Sequence, residues 1–283
     1  MKTYKQLSEE KVEMQEMRGL VEVYEEIAAK KMQAVRDAIL SSRAFFEGLA
    51  KLSDDVGADF SDFMTRIVGT SSHSQTAAVF ISADEGLYGD IIERIFQAFL
   101  AFIKKDGVDV FVVGRVGAEL MTSYAKNISF KQVEVGDEVI DAEKFSLVTK
   151  QLLSYKHIIV FYGKFQSIVN QEASSMTISG ELLKQLIPGH EEAMKHMRYL
   201  YEPTLVDISQ IFGNEILAST FEASLREAQL AKFASRMMNL DLAMERIDEQ
   251  LQKVGFEKLK VRKRGLDKKQ RQIISGVVVR NHV

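Results

Sequence analysis

The chain contains no cysteine, which excludes a disulfide framework and thiolate catalysis. Proline is nearly missing: Pro188 and Pro203 are the two in 283 residues. Because proline breaks helix interiors, both ends of the chain are open to long uninterrupted helices. No apolar run reaches the roughly 18 residues that span a bilayer. The longest candidates, "AAVFISA" and "IFQAFLAFI", are the size of core segments. The opening "MKTYKQLSEEKVEM" is polar and acidic, without the apolar centre of a signal peptide. The expectation is a cytoplasmic protein with no membrane insertion of its own. A net charge of −3 lacks the basic excess of wholesale nucleic-acid binding. With 27% charged and 46% hydrophobic residues, the composition is that of an ordinary globular chain.

Catalytic signatures are missing too. There is no G-x-x-x-x-G-K-[ST] phosphate loop, no G-x-G-x-x-G after a strand and no G-x-S-x-G elbow. The histidines His73, His157, His190, His196 and His282 show no metal-ligand spacing. "DEGLYGD" and "GRVG" follow apolar runs and are placed to touch a ligand. The plainer reading, a tight turn at a strand end, is preferred. "SSHSQT" at 71–76 reads as a loop.

What the chain does carry is a pair of long stripes. Leu230, Phe233, Met237, Leu240, Met244, Ile247, Leu251 and Val254 alternate spacings of three and four. A stripe that narrow faces another long helix. Near the other terminus, Met17, Val21, Tyr24, Ala28, Met32, Val35, Ile39, Ser42, Phe46 and Leu49 form a second stripe. It holds a seven-residue repeat except for an extra four-step from Ala28 to Met32, a stutter that locally unwinds a supercoil. A helix over the first 50 residues would span about 60–70 Å. The second rod runs from about 208 to 274. The two ends are expected to pair as an antiparallel coiled coil.

Between them the pattern changes. "TAAVFISADEGLYGD", "VDVFVVGRVG" and "HIIVFYGKF" read as strands, while "IIERIFQAFLAFIKKDG" and "EKFSLVTKQLLSYK" read as helices. Alternation of this kind implies crossovers and a mainly parallel sheet. The expected fold is a long antiparallel coiled coil of N- and C-terminal helices plus a small Rossmann-like α/β domain. Its parts are a helix over 1–55, an α/β domain over 76–185 and a helix over 208–283.

One charge cluster stands out. Lys253, Lys258, Lys260, Arg262, Lys263, Arg264, Lys268, Lys269 and Arg271 face only Glu257 and Asp267. Such a run is ordinarily a solvated helix face; the functional alternative is a basic collar that docks on acidic loops or phosphate. Gly255 and Gly265 weaken a helix here by about 1 kcal/mol each relative to alanine, so a bend or local yielding is expected.

Six stretches, in order, resemble the gamma subunit of F-type ATP synthases. "EIAAKKM" (26–32) is similar to the family's "MVAASKM", "ISADEGLYGD" (81–90) to "TSDRGLCGG", and "VVGRVG" (112–117) to "IGRKG". "VFYGKFQSIVNQ" (160–171) is similar to "VYNRFVNTLTQ", "LIPGHEEAMKHMRYLYEP" (186–203) to "LLPL…YLYEP", and "AKFASRMMNLDLA" (231–243) to "SEHAARMVAMDNA". The resemblance implies a rotor shaft inside a ring of alpha and beta subunits. Its α/β foot would bind the epsilon subunit and the c ring. Catalysis would reside on the partners, no cofactor would be held, and the complex would sit on the inner face of the plasma membrane. It also implies head contacts at Arg236 (the "ARM" arginine), Lys260 and Arg262, and c-ring contacts at Tyr201 and Glu202. Lys263, Asp267 and Lys269 are assigned to the same head contact, although the family has glutamine, threonine and glutamate there. Two more departures are Glu26, at an apolar position, and "YKQLSEE" in place of the basic "KEIRRRI". They point to a divergent member. Two rival readings accompany this one: a gamma-like shaft uncoupled from ion transport, and a small metabolite enzyme with a pocket near Asp84, Glu85 and Arg115.

Overall fold

The computed structural model describes residues 2–56, 73–104, 107–136, 139–179 and 205–280. In chain order its elements are α1 (Tyr4–Val56), β1 (His73–Ile81), α2 (Ile91–Ile103), β2 (Val108–Val113) and α3 (Arg115–Tyr124), then β3 (Phe130–Val133), α4 (Ala142–Leu152), β4 (Tyr155–Phe165), β5 (Gln171–Ser179) and α5 (Leu205–Arg280). They make two compact units, residues 1–27 with 237–283, and residues 28–236. The division falls inside both long helices, whereas the sequence reading divided the chain between elements.

In the first unit α1 and α5 run antiparallel. The Lys258 ammonium lies 4.9 Å from the Tyr4 ring centre, and Arg18 Nε donates to Asp248 Oδ1 at 2.8 Å. Leu240 and Val254 are buried, and Met244, Ile247 and Leu251 half-buried between them, so the C-terminal stripe is the seam that its spacing predicts. The N-terminal stripe needs correcting. Met17 and Tyr24 are 55% and 49% exposed. The covered line is instead Leu7, Lys11, Met14, Arg18, Val21 and Glu25, continuing in the second unit as Ala28, Met32, Val35 and Ile39. Its spacing alternates four and three throughout, so there is no stutter. Lys11, Arg18 and Glu25 fit because long side chains lay their stems on apolar surface and keep their charges wet. Ser42, Phe46 and Leu49 lie outside the described side chains.

The second unit is built on a five-stranded sheet of order β3-β2-β1-β4-β5. β1 pairs in parallel with both β2 and β4, β2 in parallel with β3, and β5 runs antiparallel to β4. Alternate residues of β1 serve two cores. Ala78 and Phe80 face α2, whose Ile91, Ile95, Phe96 and Phe99 recur at helical spacing. Ala77, Val79 and Ile81 face α4 and the Phe221–Leu225–Ala228 stretch of α5. Full burial of Phe80, Phe99, Phe111, Phe221 and Phe233 contributes about 1.5–3 kcal/mol each. Asp141 caps α4 by accepting from the N–H groups of Glu143 and Lys144 at 3.0 and 3.2 Å.

Two strands and one helix escaped the sequence reading. β3 ("FKQV") and β5 ("QEASSMTIS") are the sheet's edges and carry few apolar residues. α3 begins at the glycines of "GRVG", where the sequence favours a tight turn.

Candidate functional site: a helix seated at the strand ends

In a sheet of this order, the crevice outside the carboxyl ends of the strands flanking the reversal of strand order, here β1 and β4, is the usual ligand seat. Here α5 fills it. The helix passes from one face of the sheet, where Leu225 and Ala228 are buried, to the other, where Leu230 and Phe233 are buried. It crosses beside Gly163 of β4. A Cβ at Gly163 would lie 3.2 Å from the Ala231 Cβ, so the two small residues permit the approach.

Three side chains within about one turn of α5 then take the crevice's polar groups. Lys232 Nζ donates to the Ser82 carbonyl at 2.9 Å. Ser235 Oγ donates to the Tyr88 carbonyl at 2.7 Å. Arg236 Nη2 donates to the Gly86 carbonyl at 2.9 Å and to Glu85 Oε2 at 3.1 Å. The guanidinium also stacks over the Tyr88 ring, 4.2 Å from its centre. Lys232 and Arg236 are each only 4% exposed. A buried cation needs such partners, since an uncompensated one is strongly unfavourable.

The turn that receives them is itself constrained. Leu87 and Gly89 hold φ of 69° and 60°, and Leu87 is a non-glycine residue in the left-handed region, which costs energy unless its surroundings fix it. Below the turn, Arg115 N–H at the start of α3 donates to Asp84 Oδ1 at 3.0 Å, and the Arg115 guanidinium donates to the Asp84 carbonyl at 3.0 Å. A helix N-terminus is a ready anion site, and here the chain's own carboxylate occupies it. Gly114, with φ of 97°, precedes α3; a Cβ there would meet the Ala83 backbone at 2.8 Å. The glycines of "GRVG" thus serve close packing. A cavity of about 10 Å³ lined by Ser82, Asp84, Gln229 and Lys232 remains, the room of about one water. Among the described residues, Ser82 Oγ and Arg236 Nε are buried without a hydrogen-bond partner, and one water in that cavity would serve Ser82. Among the described residues, the cavity beside Asp84 has the room of about one water and not of a metabolite, which does not favour the enzyme reading's pocket near Asp84, Glu85 and Arg115.

The other residues singled out from sequence lie apart from this crevice. Lys260, Arg262, Lys263, Asp267 and Lys269 are exposed on α5, as is every residue from 262 to 275. Phe256, Leu259, Leu266 and Ile273 are exposed there too. α5 continues unbroken through Gly255 and Gly265, so the helix does not yield there. Tyr201 and Glu202 lie outside the described residues. Sequence reasoning picked out Arg236 but missed Lys232 and Ser235, whose partners lie 150 and 147 residues away. No group of side chains suited to a metal occurs among the described residues, and no described helix is long and apolar enough to cross a membrane.

In one unit two long helices run antiparallel, and in the other parts of the same helices pack on a doubly wound sheet. The ATP synthase family model matches residues 3–278. The ATP synthase gamma chain of Halothermothrix orenii is 23% identical over 267 residues, covering 88% of this chain and 89% of that protein. The gamma chain of Protochlamydia amoebophila is 22% identical over 275 residues, covering 93% and 94%. The fold matches a chain of the Tetrahymena thermophila mitochondrial ATP synthase central stalk and c-ring structure, with TM-score 0.58 at 17% identity, over 79% of this chain and 99% of that one. A chain of the Euglena gracilis mitochondrial ATP synthase matches with TM-score 0.51 at 12% identity, over 92% and 94%. The chain belongs to the ATP synthase family, as a gamma, central-stalk subunit.

Proposed function

We propose that this chain is the torque-transmitting shaft of a rotary ATP synthase or ATPase, seated in a head of alpha and beta subunits. Its foot meets the epsilon subunit and a c ring on the inner face of the plasma membrane. The observation that carries this is the 262–275 stretch of α5. Every residue there is exposed, with Leu266, Ile273 and Ile274 among six basic residues. A helix stretch with exposed apolar side chains calls for a receiving surface. The head is that surface, and Lys260, Arg262, Lys263, Asp267 and Lys269 meet its loops. Tyr201 and Glu202 are assigned to the c-ring side from their sequence match. Arg236 is assigned to the head from its sequence match, and within the second unit it also seats α5 on the 85–88 turn.

An eccentric shaft presents a different face to each catalytic subunit as it turns. Each orientation favours a different open or closed state, and only such differential contact shifts an equilibrium. ATP is made or hydrolysed on the partners, driven by or driving ion flow.

The test is purification of the complex from native membranes through a tag on this chain. Alpha, beta, epsilon and c subunits together are expected. A head that co-purifies without any c subunit would replace coupled synthesis with a shaft uncoupled from ion transport, a reading favoured by the acidic opening "YKQLSEE". Recovery of the chain alone would refute both.

A further inference from the structure

Residues 12–27 of α1 carry a second apolar line, separate from the seam. Val12, Met17, Leu20, Val23, Tyr24 and Ile27 are all exposed, Leu20 most at 62%. At 100° per residue they share one sector of about 140°. The covered residues Met14, Arg18, Val21 and Glu25 fall on the other side of the helix. Six large apolar side chains on one face make a contiguous patch, which marks an interaction surface where scattered ones would not.

Charge around the patch is of one sign. Residues 9–27 hold seven carboxylates against Lys11 and Arg18, and residues 241–252 of the paired helix hold four against Arg246. Arg18 is taken up by Asp248 and Glu22. Glu9, Glu13 and Glu16 lead into Leu20, Val23 and Ile27 at spacings of four, three, four, three and four, so acids and apolar residues share a face. Glu13 and Glu16 form no ion pair among the described residues, and Glu9 reaches only Lys5 at 3.8 Å.

We propose that this face docks a basic amphipathic segment of a partner protein. The segment's apolar side chains cover Leu20, Val23, Tyr24 and Ile27, and its lysines or arginines meet Glu9, Glu13 and Glu16. Charge selects the occupant. A second copy of this face, or an acidic segment, would bring like charges together at close range, which is strongly disfavoured. The face is argued independently of the rotor reading, which enters only in placing the partner within the same complex.

The absence of cysteine allows a clean test. Leu20→Cys in the full chain, labelled with a benzophenone maleimide, is assembled into the complex from native membranes and irradiated, and the captured peptide is sequenced. A peptide of net positive charge is expected. Its yield should fall roughly tenfold or more with Glu9→Lys, Glu13→Lys and Glu16→Lys combined, and substantially as salt rises from about 0.1 to about 0.5 M. All three glutamates lie on the helix surface, and an unchanged circular dichroism spectrum verifies folding. Capture of a neutral or acidic peptide, capture of a second copy, indifference to charge reversal, or no capture in the assembled complex would overturn the proposal. Ile273→Cys, labelled in parallel, separates this from the rotor reading. Head capture at 273 with none at 20 sinks only the docking face. A charge-sensitive basic peptide at 20 with no head capture at 273 upholds the face and sinks the shaft assignment.

Discussion

Replacing Arg236 with alanine should unseat α5 from the strand ends. A charged donor to a backbone carbonyl, here Gly86 at 2.9 Å, is worth about 1.5–3 kcal/mol. The stack on Tyr88 at 4.2 Å adds about 1–2 kcal/mol in a desolvated setting. The ion pair contributes only about 0.5 kcal/mol, because the Glu85 side chain is 56% exposed. Loss of the buried stem adds about 1 kcal/mol. Against these, the partnerless Nε costs the native state about 1–2 kcal/mol. The net loss for Arg236→Ala is about 3–5 kcal/mol. Urea unfolding of the full chain, followed by the near-ultraviolet tyrosine signal, reads it, and amide exchange at 84–89 should accelerate. Arg236→Lys should fall between, since lysine lacks the planar fork. Glu85→Gln should cost under about 1 kcal/mol. A cost below about 1 kcal/mol for Arg236→Ala with unchanged exchange would refute this seating, as would Glu85→Gln matching it.

Three further outcomes follow from the same geometry. Tyr155 donates to Asp109 at 2.7 Å, and burial first, then that bond and charge, push its pKa up to about 12, against an ordinary value near 10. The native state therefore holds the proton longer than the unfolded one, so this contribution is intact below about pH 10 and is lost as pH rises toward 12. Tyr155→Phe should flatten part of that alkaline decline in denaturation titrations, to which Tyr162, raised by burial and by Glu227, also contributes; an identical decline in the variant would refute this. Gly265→Ala, where an added Cβ meets nothing within 4 Å, should stabilise α5 by about 1 kcal/mol, read as slower amide exchange over 262–275; faster exchange would contradict an uninterrupted helix. Gly114→Ala should cost at least about 2 kcal/mol through left-handed strain and the clash with Ala83, and a denaturation midpoint close to the parent's would contradict the close approach.

Sequence legibility followed the chemistry of each element. The C-terminal stripe was readable because its seam positions are apolar and regularly spaced, and β1, β2 and β4 because central strands must be apolar on both faces. The N-terminal register was not: Met17 and Tyr24 look like seam residues, while Lys11, Arg18 and Glu25 do not. Side-chain stems and one cross-helix ion pair, whose partner is 230 residues away, decided it. Edge strands β3 and β5 hid for the opposite reason, since an edge tolerates polar residues. The crevice was half visible. Arg236 stood out through a motif, but nothing local marks Lys232 and Ser235, or reveals that Asp84 closes the anion seat of α3.

The filled crevice changes what this architecture does. A doubly wound sheet ordinarily holds a visitor that comes and goes with its concentration. Here the visitor is a length of the same polypeptide, present at an effective concentration on the order of millimolar or above and never diluted. A small molecule seeking that berth must evict a tethered cation, so the strand ends hold a helix in place of a ligand.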